Sequence, residues 1–165
     1  PLGIRALAAH RETLGADAPA LYVTMNSLAS MLNAAKRYDE AEPLFREAIT
    51  HRTRLLGAGH PKTLISVASF AFMLTKMGQH EAAEPFHRRA YDGRKRLLGD
   101  RHPKTLTSAV NLGRCLTELG QYGEGEAVLL EAVTVRREVL GVDHSRTLNA
   151  ERRLAECHKA RNGEA

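Results

Sequence analysis

The phrase LLGAGHPKTL at residues 55–64 returns as LLGDRHPKTL at residues 97–106. Self-similarity at a fixed period constrains a chain more than any single motif, because it dictates a row of like units. Leu-Gly recurs at Leu14-Gly15, Leu56-Gly57, Leu98-Gly99 and Leu140-Gly141, 42 residues apart each time. Other columns keep the same register: Pro19, Pro61, Pro103 and then Ser145; Ala48, Ala90 and Ala132; Leu32, Leu74, Leu116 and His158. Cys115 and Cys157 also stand one period apart. Equivalent atoms of stacked helices lie about 8 to 10 Å apart, beyond the ~7 Å Cα limit of a disulfide. The two thiols are therefore expected to be reduced and to serve as small packing residues.

Each period divides into two helices. Aromatic residues make up only 5% of the chain and tryptophan is absent, while Ala, Leu, Glu and Arg abound, so propensity favours helix nearly everywhere. Pro61 suits a first helical position, and Leu64, Val67, Ala68, Phe70, Ala71 and Leu74 follow at helical spacing. This first helix of the unit (helix A) is expected to stop at Met77-Gly78, where glycine takes the left-handed conformation of a helix end; Gly120 and Gly163 share that column. A second helix (helix B) begins near Glu81, carries Ala83, Phe86, Ala90, Tyr91 and Leu97, and closes at Gly99. Pro43 and Pro85 fall near its first turn, where an N–H lacks an intrahelical partner anyway. Gly123 and Gly125 weaken the start of the last helix B by about 1 kcal/mol each relative to alanine. The repeated phrase is then a joint: Leu-Gly ends one helix B, and His-Pro starts the next helix A, with His60, His102 and His144 capping it or bonding within the loop.

Chemistry fares poorly against this frame. Two cysteines are too few for a disulfide framework or a four-cysteine zinc site. Imidazoles one repeat apart cannot share an ion whose ligands lie within ~2.1 Å. His80, Glu84 and His87 share a helix face, yet HEAAE is not the His-Glu-x-x-His of zinc proteases, and His80 and His87 fill columns that hold Tyr38, Tyr122, Phe45 and Leu129 elsewhere. The acidic pairs Glu40 and Glu42, Glu81 and Glu84, and Glu124 and Glu126 suit first helical turns, where carboxylates complement the helix dipole. No phosphate loop or nucleophile elbow occurs, so no enzyme activity, cofactor or metal is expected. No apolar stretch approaches the ~20 residues that span a bilayer, and no leader pattern is visible at the start. A cytoplasmic protein without membrane contact is expected.

Helix, short turn and helix, repeated head to tail with small residues at fixed columns, resembles the tetratricopeptide family. The 42-residue period, LGxxHPxTL between units and a GxYxEAExL-like turn are similar to the repeats of kinesin light chain and its bacterial relatives; the turn stands here as KRYDEAEPL (36–44), GQHEAAEPF (78–86) and GQYGEGEAV (120–128). Departures are local: Lys36 replaces the turn glycine, His80 the tyrosine, and Gly125 the small alanine. The resemblance implies an all-α, right-handed α-solenoid of stacked antiparallel helix pairs. Its units are 1–15, the second helix of a truncated repeat, then 16–57, 58–99 and 100–141, and finally 142–165, the first helix of a further repeat. That frame reads as a single array of eight helices cut from a longer solenoid.

By the same resemblance, stacked A helices line a concave wall that holds a guest. The exposed columns implied are Val23, Ile65, Thr107 and Asn149; Asn26, Ala68, Val110 and Arg152; Ser30, Phe72, Arg114 and Glu156; Asn33, Thr75, Thr117 and Lys159, with Lys76 and Glu118 beside the last. From these the candidate groove is Asn26, Ser30, Asn33, Ile65, Phe72, Lys76, Val110, Arg114, Asn149, Arg152 and Lys159. Asparagines and arginines hold a peptide main chain or carboxylates, and Phe72, Ile65 and Val110 offer an apolar anchor site. Because the kinesin light chain family binds extended peptides with an aromatic residue amid acidic ones, the implied partner is an acidic, aromatic-anchored protein segment, and the chain an adaptor. Two other readings stand beside it: a self-associating scaffold or sensor domain of a larger signalling protein, forming homo-oligomers through exposed repeat ends, and a nucleic-acid binder. The second rests on a net charge of +5 and clusters at Arg88-Arg89, Arg94-Lys95-Arg96, Arg136-Arg137 and Arg152-Arg153. No aromatic stacking residues interleave those clusters, which disfavours it.

Overall fold

A computed structural model describes residues 19–163. Every element among them is an α-helix: α1 (Pro19–Ala34), α2 (Tyr38–Leu56), α3 (Pro61–Lys76), α4 (His80–Leu98), α5 (Pro103–Glu118), α6 (Tyr122–Leu140) and α7 (Ser145–Asn162). The period reappears in their lengths, 16 residues for α1, α3 and α5 and 19 for α2, α4 and α6. The helix expected at 1–15 lies outside the described residues. The chain divides into two compact units, Pro1–Met73 and Leu74–Ala165, the division falling within α3.

The repeated phrase builds one joint. In the first unit Gly57 takes φ 94° and its N–H returns to the Thr53 carbonyl at 3.0 Å, ending α2. The chain turns, and His60 Nδ1 accepts from the Lys62 N–H at 3.2 Å, capping α3 ahead of Pro61. Thr63, fully buried, ties the new helix back to the old one: its hydroxyl donates to the Gly57 carbonyl at 2.9 Å. Arg52 closes the joint from the other side, donating to the Lys62 carbonyl at 3.0 Å and to Ser66 Oγ at 2.5 Å. In the second unit His102 and His144 cap α5 and α7 in the same way, their Nδ1 atoms accepting at 3.1 Å from the N–H groups of Lys104 and Arg146. Arg94 and Arg136 cross to the Lys104 and Arg146 carbonyls, as Arg52 does one period earlier. Burial lowers the pKa of all three arginines, yet leaves them fully charged at neutral pH. These basic columns are used inside the fold rather than presented to a phosphate.

The internal turns need a left-handed residue. Gly78 and Gly120 adopt φ 74° and 71°, and Lys36 is held at φ 58° in the same column. A side chain there crowds its own backbone, so Lys36 is strained where glycine is not. The second helices also begin slightly earlier than expected, at Tyr38 and His80, which moves Pro43 and Pro85 into the second turn. The carbonyls of Asp39 and Glu81 forgo an intrahelical donor there, on residues that face solvent.

Apolar periodicity decides what each helix buries. In the first unit Leu21, Tyr22, Met25, Leu28, Ala29 and Leu32 of α1 are buried, as are Ala41, Phe45, Ala48 and Ile49 of α2. The Phe45 and Phe70 rings lie 6.0 Å apart, and burying one such ring stabilises by about 1.5–3 kcal/mol. In the second unit Tyr91, Leu112, Leu116, Leu129, Val133, Ala150 and Cys157 share one core. Cys115 and Cys157 are free and buried as expected, each thiol facing a carbonyl 35 residues back, His80 at 3.4 Å and Tyr122 at 3.6 Å.

Gly113 and Gly125 face each other where α5 packs on α6. A Cβ on Gly113 of α5 would sit 2.5 Å from Leu129 Cγ and 3.2 Å from the Gly125 carbonyl oxygen, so the two glycines let α5 and α6 approach closely. Gly123, by contrast, meets nothing within 4 Å. The helical penalty of Gly125 is therefore offset by packing, whereas that of Gly123 is not. Charged pairs then tie α4 to α6 along their exposed sides: Arg88 with Glu124 at 2.6 Å and Lys95 with Glu131 at 2.9 Å.

Gly123→Ala is expected to raise stability by about 1 kcal/mol, and Gly113→Ala to lower it by about 1–3 kcal/mol through overpacking against Leu129, both read from urea unfolding. Lys36→Gly is expected to raise the unfolding midpoint by relieving about 1 kcal/mol of left-handed strain; an unchanged midpoint would contradict that strain.

Candidate functional site

The second unit holds a polar cleft of about 440 Å³ where α5, the start of α6 and α7 meet. Arg114, Thr117 and Glu118 line it from α5, Tyr122 from α6, and Arg153, Glu156 and Ala160 from α7. The first helix of one repeat and that of the next thus supply opposite walls, and helical spacing explains the residues: Arg114, Thr117 and Glu118 share one side of α5, as do Arg153, Glu156 and Ala160 on α7.

Arg114 dominates the chemistry. Its side chain is half-buried, and its Nε and Nη2 are buried without a hydrogen-bond partner among the described residues. Those two nitrogens form one edge of the guanidinium fork, the geometry that takes a carboxylate with two parallel bonds. Burial lowers the Arg114 pKa and Arg153 adds to the effect, while Glu118 and Glu156 oppose it. Glu156 is already engaged, because Arg153 Nη1 donates to it at 2.7 Å. Thr117 turns its hydroxyl to the Gly113 carbonyl at 2.9 Å.

Beneath this side of α5 lies a polar core position. His87 is buried where other repeats carry Phe45 and Leu129, and its Nε2 lies 2.9 Å from Thr75 Oγ1. Burial, then Arg114, then His80 push its pKa down to about 4. His80 therefore opens α4 and His87 is a core residue, and among the described residues no cluster of His, Cys, Asp or Glu has the arrangement of a metal site.

The candidate groove residues fall in both units. In the first, Ile65 and Phe72 are exposed on α3, at 40% and 37%, while Asn26, Ser30 and Asn33 of α1 are half-buried. The Ser30 hydroxyl donates to the Asn26 carbonyl at 2.8 Å, and Asn26 Oδ1 is buried without a partner. Val23 lines a separate apolar cleft of about 270 Å³ with Tyr22, Leu55 and Leu56. In the second unit Lys76 is exposed and Asn149 half-buried, and Arg114 lines the polar cleft. Val110, expected to be exposed, is only 6% so and belongs to the core, because its column turns toward the helix that follows. Arg152 and Lys159 are exposed but do not line the cleft; Arg153, the neighbouring column, does. Sequence reasoning placed Arg153 only in a basic cluster. The signal that finds it is Asn111, one period earlier, half-buried next to buried Val110.

A tetratricopeptide repeat profile matches residues 65–124, and a second profile of the same description matches 23–62 and 105–146. The chain belongs to the tetratricopeptide repeat family, whose arrays are protein-interaction scaffolds. Its fold is the helical solenoid of the putative kinesin light chain of Podosopora anserina, solved for its nearly identical TPR-like repeats. That structure aligns at TM-score 0.87 and 24% identity over 99% of this chain and 77% of the other, and a glutamine-to-methionine variant of it aligns at 0.88. BtubC (BKLC) from P. vanneervenii aligns at TM-score 0.77 and 17% identity, over 87% of this chain and 57% of its own. No curated protein sequence matches the chain. Among the described residues no helix is long and apolar enough to cross a membrane.

The depressed His87 pKa makes stability depend on pH with a definite sign. The unfolded imidazole, near 6.5, takes a proton before the folded one, at about 4. Stability is therefore complete above about pH 6.5 and falls as the pH drops toward 4, by about 3 kcal/mol in all. His87→Leu, the residue of the next repeat, is expected to flatten that stretch of the urea-midpoint profile.

Proposed function

We propose that the chain is an adaptor that holds a linear, acidic segment of another protein, with a carboxylate of that segment seated on Arg114 in the second unit's cleft. The buried, unmatched Nε–Nη2 edge of Arg114 carries this reading. A guanidinium edge removed from water without a partner is costly, so an incoming carboxylate gains more there than at a solvated cation. Lys76 and Asn149 add donors in the same unit. In the first unit, exposed Ile65 and Phe72 offer an apolar seat for an aromatic side chain, and Asn26, Ser30 and Asn33 supply main-chain contacts. Family membership supports the scaffold role, and the chemistry of Arg114 supports the acidic preference.

The setting proposed is the reducing cytoplasm. Cys115 and Cys157 are buried free thiols turned toward backbone carbonyls, and burial pushes the Cys115 pKa up to about 11. Such thiols are poor nucleophiles and serve as packing.

An array of acidic, aromatic-containing peptides screened against the wild-type chain, Arg114→Glu and Phe72→Ala tests both seats. Loss of a charge-assisted pair of about 1.5–3 kcal/mol predicts at least tenfold weaker binding by Arg114→Glu, and Phe72→Ala should weaken only peptides with an aromatic residue. Unchanged affinity in Arg114→Glu would remove the site. Binding that ignores peptide sequence and collapses with salt would favour nucleic acid instead.

A further inference from the structure

The last turn of α5 keeps a negative charge that the other helices ending in the second unit offset. Their last turns carry cations of their own: Lys76 in α3, Lys95 and Arg96 in α4, Arg137 in α6, Lys159 and Arg161 in α7. The last turn of α5 carries none and closes on Glu118. A carboxylate there adds to the negative end of the helix dipole, where a cation is favoured. Glu118 is also the one acid of its column, in which Ala34 and Lys76 stand earlier and Ala160 one period later.

Arg114, one turn back on the same side of α5, does not cancel that charge. Acid and arginine four residues apart close elsewhere when the acid comes first, Glu42 with Arg46 at 2.8 Å and Glu84 with Arg88 at 2.6 Å. With the cation first the pairing is poorer, and Arg152 reaches Glu156 only at 4.0 Å. Arg114 and Glu118 stand in that poorer order. Glu118 is exposed and makes no hydrogen bond or ion pair among the described residues; its attraction to Arg114 acts from further off. The other charges lining the cleft, Arg153 and Glu156, are joined to each other at 2.7 Å. A guest therefore meets two open groups of opposite sign, the guanidinium edge of Arg114 and the carboxylate of Glu118, on successive turns about 6 Å apart along the axis.

We propose that Glu118 sets the charge pattern this cleft accepts: the partner segment carries a basic residue two positions from the carboxylate seated on Arg114, and that cation pairs with Glu118. The inference rests on the carboxylate seat at Arg114 and supplies its second half. In an extended segment, residues two apart point to the same side about 6.6 Å from each other, which matches one turn of α5. A lysine or arginine there meets the Glu118 carboxylate and the negative helix end together. A second carboxylate in its place meets a like charge, so an evenly acidic segment binds less well than one of alternating sign. Solvent around Glu118 keeps each contact to a few-fold in affinity, and exchanging attraction for repulsion adds the two effects.

The probes are two capped, fluorescein-labelled nonapeptides, Gly-Ser-Phe-Ser-Glu-Ser-X-Ser-Gly and the same sequence in reverse, with X lysine, glutamine or glutamate. Each is titrated by anisotropy against the wild-type chain, Glu118→Gln, Glu118→Lys and Arg114→Glu. In one of the two orders the wild type is expected to bind lysine best and glutamate worst, at least fivefold apart. Glu118→Gln should flatten that ranking and Glu118→Lys invert it, an inversion that a merely structural role for Glu118 would not produce. Arg114→Glu should weaken the wild type's best peptide at least tenfold. Circular dichroism should show equal helix content in the wild type and both Glu118 variants, since Glu118 is exposed at a helix end. If Arg114→Glu weakens binding but the ranking is the same in wild type and Glu118→Lys, this inference is overturned and the Arg114 seat stands. If Arg114→Glu binds every peptide as the wild type does, the seat is lost and the role of Glu118 with it.

Discussion

Everything in this fold depends on how a helix B is turned into the next helix A within a few residues. The joint must reverse the chain, end one helix, start another, and hold the two at a fixed angle. One side chain or backbone angle answers each demand: a glycine near φ 90° stops the helix, a histidine caps the next, proline occupies its first position, and a buried threonine and arginine bind the two helices together. Because every bond stays within the joint, the phrase works wherever it is written. The same histidine caps recur at His102 and His144 in the second unit, where Thr105, in the column of Thr63, leaves its buried hydroxyl without a partner among the described residues.

Given fixed joints, packing reduces to choosing side-chain volumes at a few columns. Small residues set how close helices approach, and the Gly113–Gly125 contact marks the limit of that choice in the second unit. Polar substitutions into the columns are tolerated where a partner is at hand, as with His87 and Thr75. The basic residues divide by the same logic. Arg52, Arg94 and Arg136 hold backbone carbonyls, Arg88 and Lys95 bridge helices, and Arg114 lines the cleft with an edge unmatched among the described residues. Net charge therefore says little about partners here, since most cations are committed to the fold.

Candidate functional residues were harder to read than the fold because they depend on helix rotation. Adjacent columns on a helix differ by about 100°, so a small error in rotation exchanges a groove residue for a core residue. Val110 and Arg153 show the exchange: the first was expected in the groove and is core, and the second lines the cleft but appeared only as part of a basic pair. The buried glycine contact was likewise hidden, because helical propensity reports only what Gly125 costs its own helix and says nothing of what Gly113 gains across from it.

Helical class, the punctuation between helices and the family were legible in the sequence alone, since caps, left-handed glycines and apolar spacing act over a few residues and repeat with the period. Tertiary structure decided which column of each helix faces its neighbour, the cleft or solvent. It also decided which of many like charges are spent on ion pairs and which keep an unmatched edge, as Arg114 does. Those outcomes depend on the relative rotation and separation of helices, set jointly by side chains from several elements that no local pattern encodes.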